Sequence, residues 1–475
     1  LTAMEIYEYE RTEFCYICNK TFKEDIAAKI KVRDHDHFTG DYRGAAHAIC
    51  NMKIDRDKFT IPIVFHNLSG YDLHFFINEI SKLLINLEII PKSKEKYQSV
   101  MGKISKSQIK LKFIDSLNFL NGSLSDNALR LKNFNFFSES EKKYTKKQFF
   151  PYTYIDSLEK LDEEILPQNL KDWKNELSNI EFTQENLDHV NNIFSELKCK
   201  SIKDYLLFYL KIDVLLLAEV FEAFRKTCLK TYYLDPAHYF SLPGFSWDAF
   251  LKMTKSKIEL LQSRELVDFF ISKGSLRGGI STVSNLKYAK ANNPLMENYN
   301  QAKPLSYIMY YDVTNLYGFI MGNFPLPIKN IKFVLDIEKY QSNIKSLFDE
   351  ITEFKSFIVE VDIEYPEHLH DQHSELPFLP EHKFDRLIPN LYNKFNYKCH
   401  IETLKFCLEN GLILKKIHKI ISFDQNLFIS PYIQLNTNLR NSSTCDLEKN
   451  IFKLNNNAVY GKTMENVFKR KNYIF

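Results

Sequence analysis

The chain has 475 residues, of which 44% are hydrophobic, so it is long enough to bury several cores and to form about three domains. Basic residues exceed acidic ones by only three, and this balance neither indicates a nucleic-acid partner nor argues against one. The longest apolar stretch is interrupted by charges and no charged-then-apolar leader is visible, so we expect neither a membrane segment nor export.

Four metal-ligand residues stand in two knuckles near the front of the chain. Cys15 and Cys18 are separated by two residues, as are His47 and Cys50. Three thiols and one imidazole have the number and chemistry that tetrahedral zinc requires. The other cysteines are scattered singly, which predicts reduced intracellular thiols. We therefore expect residues 1–58 to form a small domain held by structural Zn²⁺.

An Asp-His-Asp-His run between the knuckles, with an asparagine after the last ligand, offers the groups of a nuclease site. An imidazole activates water, and carboxylate or amide oxygens hold a catalytic cation. Residues 15–51 resemble the endonuclease VII branch of the HNH nucleases. That resemblance implies His35 as general base and Asp34 and Asn51 as ligands of Mg²⁺. The alternative is a zinc-held structural or DNA-binding module in which the Asp/His run is a solvated loop.

The segment after the zinc module carries strand and helix signals typical of an α/β domain. Ile61–Phe65 predicts a buried strand, and a polar turn then leads to a helix over residues 70–80. Because the turn follows a strand, Asp72 is expected near the carboxyl edge of a sheet. Residues 111–131 repeat the strand-then-turn pattern.

The strongest helix signal lies over Tyr205–Cys228, where apolar residues recur at three- and four-residue spacing. This spacing places Tyr209 and Asp213 one turn apart on one face, and a buried Asp213 requires a partner or a cation. Capping aspartates and Tyr/Asp pairs are also common structural features, so either motif alone is weak.

In this order, Asn67, Asp72, Tyr209 and Asp213 resemble the second and third motifs of the 3′–5′ exonuclease domain of family B DNA polymerases. The resemblance implies an RNase H-like fold in which paired carboxylates hold two metal ions. The first exonuclease motif has no match before Asn67, so we expect proofreading by this chain to be impaired.

Two shorter motifs suggest contact with DNA. Ser123-Leu124 resembles the Ser/Thr-Leu motif with which protein-primed polymerases touch the primer strand or terminal protein. Arg277-Gly278-Gly279 contains two adjacent glycines, which let the backbone approach a phosphate chain, and it places a guanidinium beside them. Its place in the chain resembles that of the Tyr-x-Gly-Gly motif of the same enzymes, although an ordinary Gly-Gly turn is the alternative.

Ser306–Tyr311 predicts a short apolar strand that delivers Asp312. The segment from Asp312 to Gly318 resembles motif A of family B polymerases, with departures at Asn315 and Gly318. The resemblance implies that Asp312 binds both catalytic Mg²⁺ ions, and that Tyr317 stacks under the sugar of the nucleotide and excludes a 2′-hydroxyl.

A final helix from about residue 446 is predicted to place Lys453, Asn457 and Tyr460 on one face. These residues resemble motif B, with Ala458 in place of serine. The resemblance implies that the lysine pairs with triphosphate oxygens and that the asparagine and tyrosine contact the nucleotide and template base.

The order of motifs resembles that of protein-primed family B polymerases of Polinton or Maverick type over nearly the whole chain. It implies an α/β and α+β multidomain protein with a ββα-type zinc module, and a DNA-directed DNA polymerase with DNA, dNTPs and a terminal protein as partners. The location would be intracellular, and nuclear for a eukaryotic mobile element. The expected domains are the zinc module, an exonuclease-like domain, a palm, an inserted subdomain and the start of the fingers, over 1–58, 59–233, 234–329, 330–435 and 436–475.

Motif C, which supplies the second metal-binding carboxylate of the polymerase, has no match before Phe475. We therefore expect this 475-residue chain to be a fragment with little nucleotidyl transfer of its own. Two other classes of function stay open. The chain could be an HNH endonuclease on an inactive polymerase scaffold, or a catalytically silent DNA-binding remnant.

Overall fold

The structure of the protein is a computed structural model, and it forms two compact units, Leu1–Phe119 and Leu120–Phe475. It describes residues 2–22, 26, 29–35, 40–52, 60–93, 96–105, 109–174, 181–261, 263–271, 275, 277–282, 289–384 and 386–465.

The first unit contains three helices and six strands among the described residues. They are α1 (Ala3–Arg11), β1 (Lys31–His35), β2 (Tyr42–His47), α2 (Ala48–Met52), β3 (Thr60–Phe65), α3 (Leu73–Leu83), β4 (Leu84–Pro91), β5 (Tyr97–Ile104) and β6 (Lys110–Asp115).

In the described part of the second unit, the regular elements before residue 324 and after residue 430 are helices, and the strands lie between. Its helices are α4 (Leu124–Leu129), α5 (Gln184–Glu196), α6 (Ile202–Tyr232), α7 (Leu242–Thr254), α8 (Arg264–Ile271), α9 (Leu316–Asn323), α10 (Glu338–Ser342), α11 (Ile344–Phe348), α12 (His370–His373), α13 (Ile401–Glu409), α14 (Ser430–Ser442) and α15 (Asp446–Thr463). Its strands are β7 (Leu326–Phe333), β8 (Lys355–Glu364), β9 (Glu381–Lys383), β10 (Arg386–Ile388), β11 (Lys394–His400) and β12 (Ile413–Asn426). Short 3₁₀ helices of the two units lie at Ser116–Asn118, Lys142–Tyr144, Glu159–Asp162, Leu170–Trp173, Pro236–His238 and Glu367–Leu369.

The front of the first unit is a hairpin followed at once by a helix, which confirms the predicted ββα order. Strands β1 and β2 pair antiparallel, with an irregularity in register between Asp34 and His35. A Cβ atom at Gly44 would lie 2.9 Å from Cδ1 of Tyr16, so the tyrosine ring packs on the hairpin because position 44 is glycine.

The second sheet of this unit has the order β3-β6-β5-β4, in which β3 and β6 are parallel. Its core is apolar and includes Leu68, Leu73 and Val100, each with at most 1% of its surface exposed. The carboxyl ends of parallel strands lie at the same edge of a sheet. The turns after Phe65 and Asp115 therefore meet at one edge, as the sequence predicted for the turn that carries Asp72.

Helix α6 confirms the strongest helix prediction and extends it to 31 residues. Its buried positions include Tyr205, Tyr209, Ile212, Leu216 and Val220, which recur at three- and four-residue spacing along one face. The helix ends at Tyr233, whose φ of 55° is left-handed. It packs against α4, α7 and α15.

The sheet of the second unit is antiparallel and has the order β11-β8-β12-β7. Burial alternates along the central strand β8, where Phe357, Val359, Val361 and Ile363 point into one core. Period-two burial is typical of a sheet with one covered face. The mixed α/β class predicted from the sequence is confirmed.

The predicted strand over Ser306–Tyr311 is wrong. Ser306 forms an isolated bridge with Asn292, and the residues that follow have no regular secondary structure and belong to no sheet. A strand needs a neighbour to receive its backbone hydrogen bonds, and an apolar run alone does not provide one. As a result the apolar side chains here are exposed, among them Tyr310 at 90% and Tyr311 at 83%. No helix of the described residues is long and apolar enough to cross a membrane.

Candidate functional site

Cys15, Cys18, His47 and Cys50 come together in the first unit, with one ligand atom of each within 4.8 Å of the others. Nδ1 of His47 lies 3.4 Å from Sγ of Cys18 and 3.7 Å from Sγ of Cys50. The other ring nitrogen, Nε2, lies 2.9 Å from the carbonyl oxygen of Thr21. A hydrogen bond from Nε2 to that carbonyl leaves Nδ1 unprotonated and directed at the thiols, as a metal-binding histidine requires. The donor set therefore fits a tetrahedral zinc ion.

The thiols of this cluster differ in acidity. Burial alone would raise the pKa of Cys15, but hydrogen bonds from the backbone of His47, Cys18 and Ile17 lower it from 9.0 to about 6. Burial, followed by the side chains of Cys18 and Cys15, raises the pKa of Cys50 to about 11. Cys15 is therefore ionised more readily for metal binding than Cys50.

The candidate nuclease residues lie on the hairpin and the helix that also carry ligands of the Cys/His cluster. Asp34 is buried in β1 and accepts a hydrogen bond from the hydroxyl of Tyr16, which stands between the first two ligands. Burial and then this bond raise the pKa of Tyr16, so it stays protonated and donates. His35 is exposed at the register irregularity, and Asn51 lies in α2 directly after Cys50. Asp36 and His37 lie outside the described residues.

A buried carboxylate that the sequence analysis did not single out holds the turn bearing the first exonuclease-like residues. Asp115, only 1% exposed, accepts backbone N–H bonds from Asn67 at 2.9 Å, Leu117 at 3.0 Å and Ser69 at 3.2 Å. It also accepts the Ser69 hydroxyl at 3.2 Å. Asn67 has a left-handed φ of 69°, and a Cβ atom at Gly70 would overlap its side chain. The conformation of this turn therefore depends on Asp115 and on the glycine.

Asp72 stands at the start of α3 and makes no capping bond with its side chain. Burial, with a contribution from the charge of Asp115, raises its pKa above the usual value for aspartate. A carboxylate in this state gains from a bound cation.

The other two exonuclease-like residues lie in the second unit, on α6. Tyr209 is buried and its hydroxyl lies 3.0 Å from the hydroxyl of Tyr152. Asp213 lies 3.5 Å from Nζ of Lys147. The sequence analysis required a partner or cation for a buried Asp213, and Lys147 is such a partner.

The Ser/Thr-Leu and Gly-Gly motifs have local structural partners. The hydroxyl of Ser123 caps α4 by accepting the N–H of Asp126 at 3.0 Å, and Leu124 is buried. Gly278 and Gly279 are exposed, with no heavy atom within 4 Å of a Cβ built on either.

The guanidinium of Arg277 packs against the sheet of the second unit. It lies 3.8 Å from the ring centroid of Tyr397, and Nη1 donates to the carbonyl oxygen of Lys398 at 2.6 Å. Burial lowers its pKa from the usual value of arginine. Among the described residues its buried Nε has no hydrogen-bond partner.

The motif A residues approach the motif B residues through two aromatic rings. Asp312 is exposed in the irregular segment before α9, and Tyr317 lies in the first turn of that helix. The ring of Tyr317 stacks on that of Tyr460, with centroids 4.0 Å apart and planes at 14°. The two segments are 143 residues apart in sequence, and this contact joins them in space.

The two departures from motif A are physically linked. Asn315 adopts a left-handed φ of 58° before α9, and its side-chain amide occupies the space that a Cβ atom at Gly318 would need. The glycine therefore leaves the space that the Asn315 side chain fills. In the described part of the chain, the buried Oδ1 of Asn315 has no hydrogen-bond partner.

Helix α15 presents the motif B residues as predicted. Its buried positions include Ile451, Phe452, Asn455, Asn456 and Val459. Lys453 is exposed, and Asn457 and Tyr460 are half-buried, so all three lie on the face that the core does not cover.

A cleft of about 580 Å³ opens beside α9, α14 and α15. Thr314, Asn315 and Gly318 line it from motif A, and Arg440 and Lys449 line it from the last two helices. Neither cation was predicted from the sequence. Arg440 and Lys449 stand 13 and four residues before Lys453, but charges at such spacing are common on surface helices and do not by themselves indicate a site.

Family models match nearly the whole chain. Residues 50–475 match "DNA polymerase type B, organellar and viral", and residues 2–61 match "Recombination endonuclease VII". No curated protein sequence matches the chain.

Among solved structures, the chain is similar to the DNA polymerase of phi29. In complex with primer-template DNA and incoming nucleotides, that protein is 16% identical over 89% of this chain and 62% of its own, with a TM-score of 0.46. The same polymerase in complex with single-stranded DNA is 15% identical over 89% of this chain and 62% of its own, with a TM-score of 0.45. The chain thus spans less than two thirds of the length of the polymerase it matches.

Proposed function

Since the chain belongs to the organellar and viral type B DNA polymerases, we propose that it acts in template-directed DNA synthesis of the protein-primed kind. The observation that carries this proposal is the stack of Tyr317 on Tyr460, which unites two polymerase-like motifs at one place. In the proposed reaction the primer 3′-hydroxyl attacks the α-phosphorus of a dNTP and pyrophosphate leaves.

Asp312 is the proposed metal-binding carboxylate. It is exposed, and its oxygens are the hard ligands that Mg²⁺ prefers. When bound, Mg²⁺ would lower the barrier by neutralising charge on the phosphate oxygens.

The exposed face of α15 is the proposed nucleotide site. Lys453 is placed to pair with triphosphate oxygens, while the stacked Tyr317 and Tyr460 offer an aromatic surface to the sugar and base. Asn457 offers an amide on the same face. Arg440 and Lys449 add positive charge in the adjoining cleft, which favours an anionic ligand.

We propose DNA contacts at the two exposed glycines. Gly278 and Gly279 leave the backbone open to a phosphate chain, and the anchoring of Arg277 on Tyr397 holds them beside the sheet. Asn67 and the Ser123-Leu124 pair also remain proposed DNA contacts. The pair is the weaker proposal, because the Ser123 hydroxyl already caps a helix.

Asp72 in the first unit, and Tyr209 and Asp213 in the second, each remain proposed 3′–5′ exonuclease residues. The raised pKa of Asp72 favours a cation there, whereas Lys147 already partners Asp213.

The two family matches, which meet near residues 50–61, support the proposed domain boundary at residue 58. The palm, inserted subdomain and fingers remain proposed over 234–329, 330–435 and 436–475, and the intracellular location and the terminal-protein partner also remain proposals.

Binding of a labelled primer–template, with and without the dNTP that pairs with the next template base, tests the polymerase proposal. The matched dNTP is expected to tighten binding by about tenfold or more, the lower range of base stacking. Tyr460→Ala and Lys453→Ala should lose most of this gain, whereas Lys345→Ala, at an exposed position on α11, should keep it. Equal gains in Lys453→Ala and Lys345→Ala would contradict the proposed site.

A second function, DNA cleavage by the front module, is favoured by the match to recombination endonuclease VII and by the Cys/His cluster. We propose that this cluster binds Zn²⁺ and that His35 activates water beside a cation held by Asp34 and Asn51. Plasmid nicking with Mg²⁺ should fall at least about a hundredfold in His35→Ala. It should be unchanged in His368→Ala, at an exposed histidine of the second unit. Equal nicking by the two variants rules this function out, and the module then has only a structural or DNA-binding role.

A further inference from the structure

A network of buried polar side chains links helix α15 to its neighbours, beside the proposed nucleotide face. Three consecutive asparagines occupy residues 455–457 of this helix. Asn455 is fully buried and Asn456 is 2% exposed, whereas Asn457 belongs to the outer face. Successive residues of a helix point about 100° apart, so the two inner amides address different neighbours.

One branch of the network joins α15 to α14 and to the end of α6. The hydroxyl of Tyr232 donates to Oδ1 of Asn436 at 2.7 Å. Nδ2 of Asn436 then donates to Oδ1 of Asn456 at 2.8 Å. Tyr232 and Asn436 are 3% and 0% exposed, so the chain of hydrogen bonds is shielded from water until it reaches Asn456 at the edge of the cleft.

A second branch fixes the adjacent amide. Oγ of Ser246 on α7 donates to Oδ1 of Asn455 at 2.8 Å, and Tyr432 on α14 lies within 3.5 Å of the same oxygen. Nδ2 of Asn455 donates to the carbonyl oxygen of Ile451 at 2.9 Å. The two inner amides of α15 are thus bonded to two different neighbouring helices.

Directional bonds of this kind constrain a helix in a way that apolar packing does not. Apolar side chains of similar volume tolerate small rotations and shifts, whereas a buried amide that loses its partner is left unsatisfied. Buried polar networks can therefore select one packing arrangement among several of similar stability.

We propose that Tyr232, Asn436 and Asn456 are positioning residues that fix the rotation of α15 about its axis. In that setting Tyr460 meets Tyr317, and Lys453 and Asn457 face outward. None of the three positioning residues is assigned to touch the nucleotide. The effect on nucleotide binding rests on the proposed function, whereas the effect on the helix does not.

Three leucine variants separate positioning from stability. Asn456→Leu or Asn436→Leu alone leaves a buried amide without its partner, so each should lower the melting temperature. Asn436→Leu/Asn456→Leu, made together with Tyr232→Phe so that no buried hydroxyl is left without its acceptor, removes the Asn436–Asn456 bond and both of its amides and should recover most of that loss. Hydrogen exchange of the α15 amides should nevertheless stay at least about tenfold faster than in the wild type, because apolar contacts no longer select one setting.

Ile451→Val is the matched control, because it trims a fully buried apolar side chain of the same helix and leaves the amides intact. It should lower the melting temperature while α15 exchange rises only in proportion to that loss. The proposal is overturned if the α15 amides of the double leucine variant exchange as slowly as in the wild type. It is also overturned if, at matched stability, these amides exchange at the same rate in the double leucine variant and in Ile451→Val. A missing dNTP effect in the wild type would count against the proposed function alone, since the exchange data decide the positioning role.

Discussion

The buried carboxylate of Asp115 makes a quantitative prediction about the first unit. Oδ1 accepts the N–H groups of Asn67 at 2.9 Å and Leu117 at 3.0 Å, and Oδ2 accepts the N–H and hydroxyl of Ser69, both at 3.2 Å. Asp115→Asn retains one acceptor oxygen but turns an NH₂ group toward the two donors of Ser69. Hydrogen bonds to a charged group contribute about 1.5–3 kcal/mol each and are not additive. We expect a loss of about 2–4 kcal/mol for Asn and about 3–6 kcal/mol for Ala, which also strands three backbone N–H groups.

Native-state hydrogen exchange with increasing urea measures this loss in the relevant unit. The free energy of opening of the β3 and β6 amides should fall by the amounts above. Ser69→Ala removes one hydroxyl bond and should lose about 1 kcal/mol. Glu79→Gln, which breaks an exposed ion pair with Lys82 in the same unit, should lose less than about 0.5 kcal/mol. An opening free energy for Asp115→Asn within about 0.5 kcal/mol of the wild type would refute the reasoning.

Four further predictions address other sites. The chain should bind one zinc ion, measured by atomic emission, and His47→Ala should weaken that binding by at least about 10-fold; equal zinc retention would contradict the assignment. Arg277→Ala should change the slope of log K for DNA binding against log salt concentration by less than about 0.3, because the guanidinium is held by Tyr397. A change of about 0.7–0.9 would instead indicate a direct phosphate contact. Gly318→Ala should destabilise α9 by about 1–3 kcal/mol in hydrogen exchange, and adding Asn315→Gly should restore most of it; no rescue would show that the two positions are not linked. Burial lowers the pKa of Lys112 to about 8, so the folded state releases this proton first and stability should rise between about pH 8 and the unfolded value of 10.5. Lys112→Met should flatten that rise in urea melts, and an unchanged slope would contradict it.

The sequence predicted the elements whose signal is local. Helix α6 and helix α15 carry apolar side chains at helical spacing, and β3 is a short β-branched run, so periodicity alone identified them. The strand over Ser306–Tyr311 has an equally apolar sequence but lacks a neighbouring strand among the described residues. Pairing is a property of the fold, and no local pattern reports it.

Candidate site residues could be named from the sequence where a motif has fixed spacing, as in the two Cys/His knuckles and the face of α15. The residues that hold them were missed. Asp115 ends an apolar strand, and Asn455 and Asn456 stand among other asparagines, so neither pattern distinguishes a buried acceptor from a solvated polar group. Tyr16 was not identified either, because its hydrogen bond to Asp34 joins residues 18 positions apart and no local pattern indicates it.

In the proposed function, motifs A and B meet at Tyr317 and Tyr460 to form a nucleotide site that reads the template. The most direct measurement is the affinity of the wild-type chain for a primer–template with each of the four dNTPs, repeated with each of the four template bases. Only the complementary dNTP should tighten binding, by about tenfold, and the preference should follow the template base in all four series. Equal tightening by every dNTP, or none by any, would contradict it.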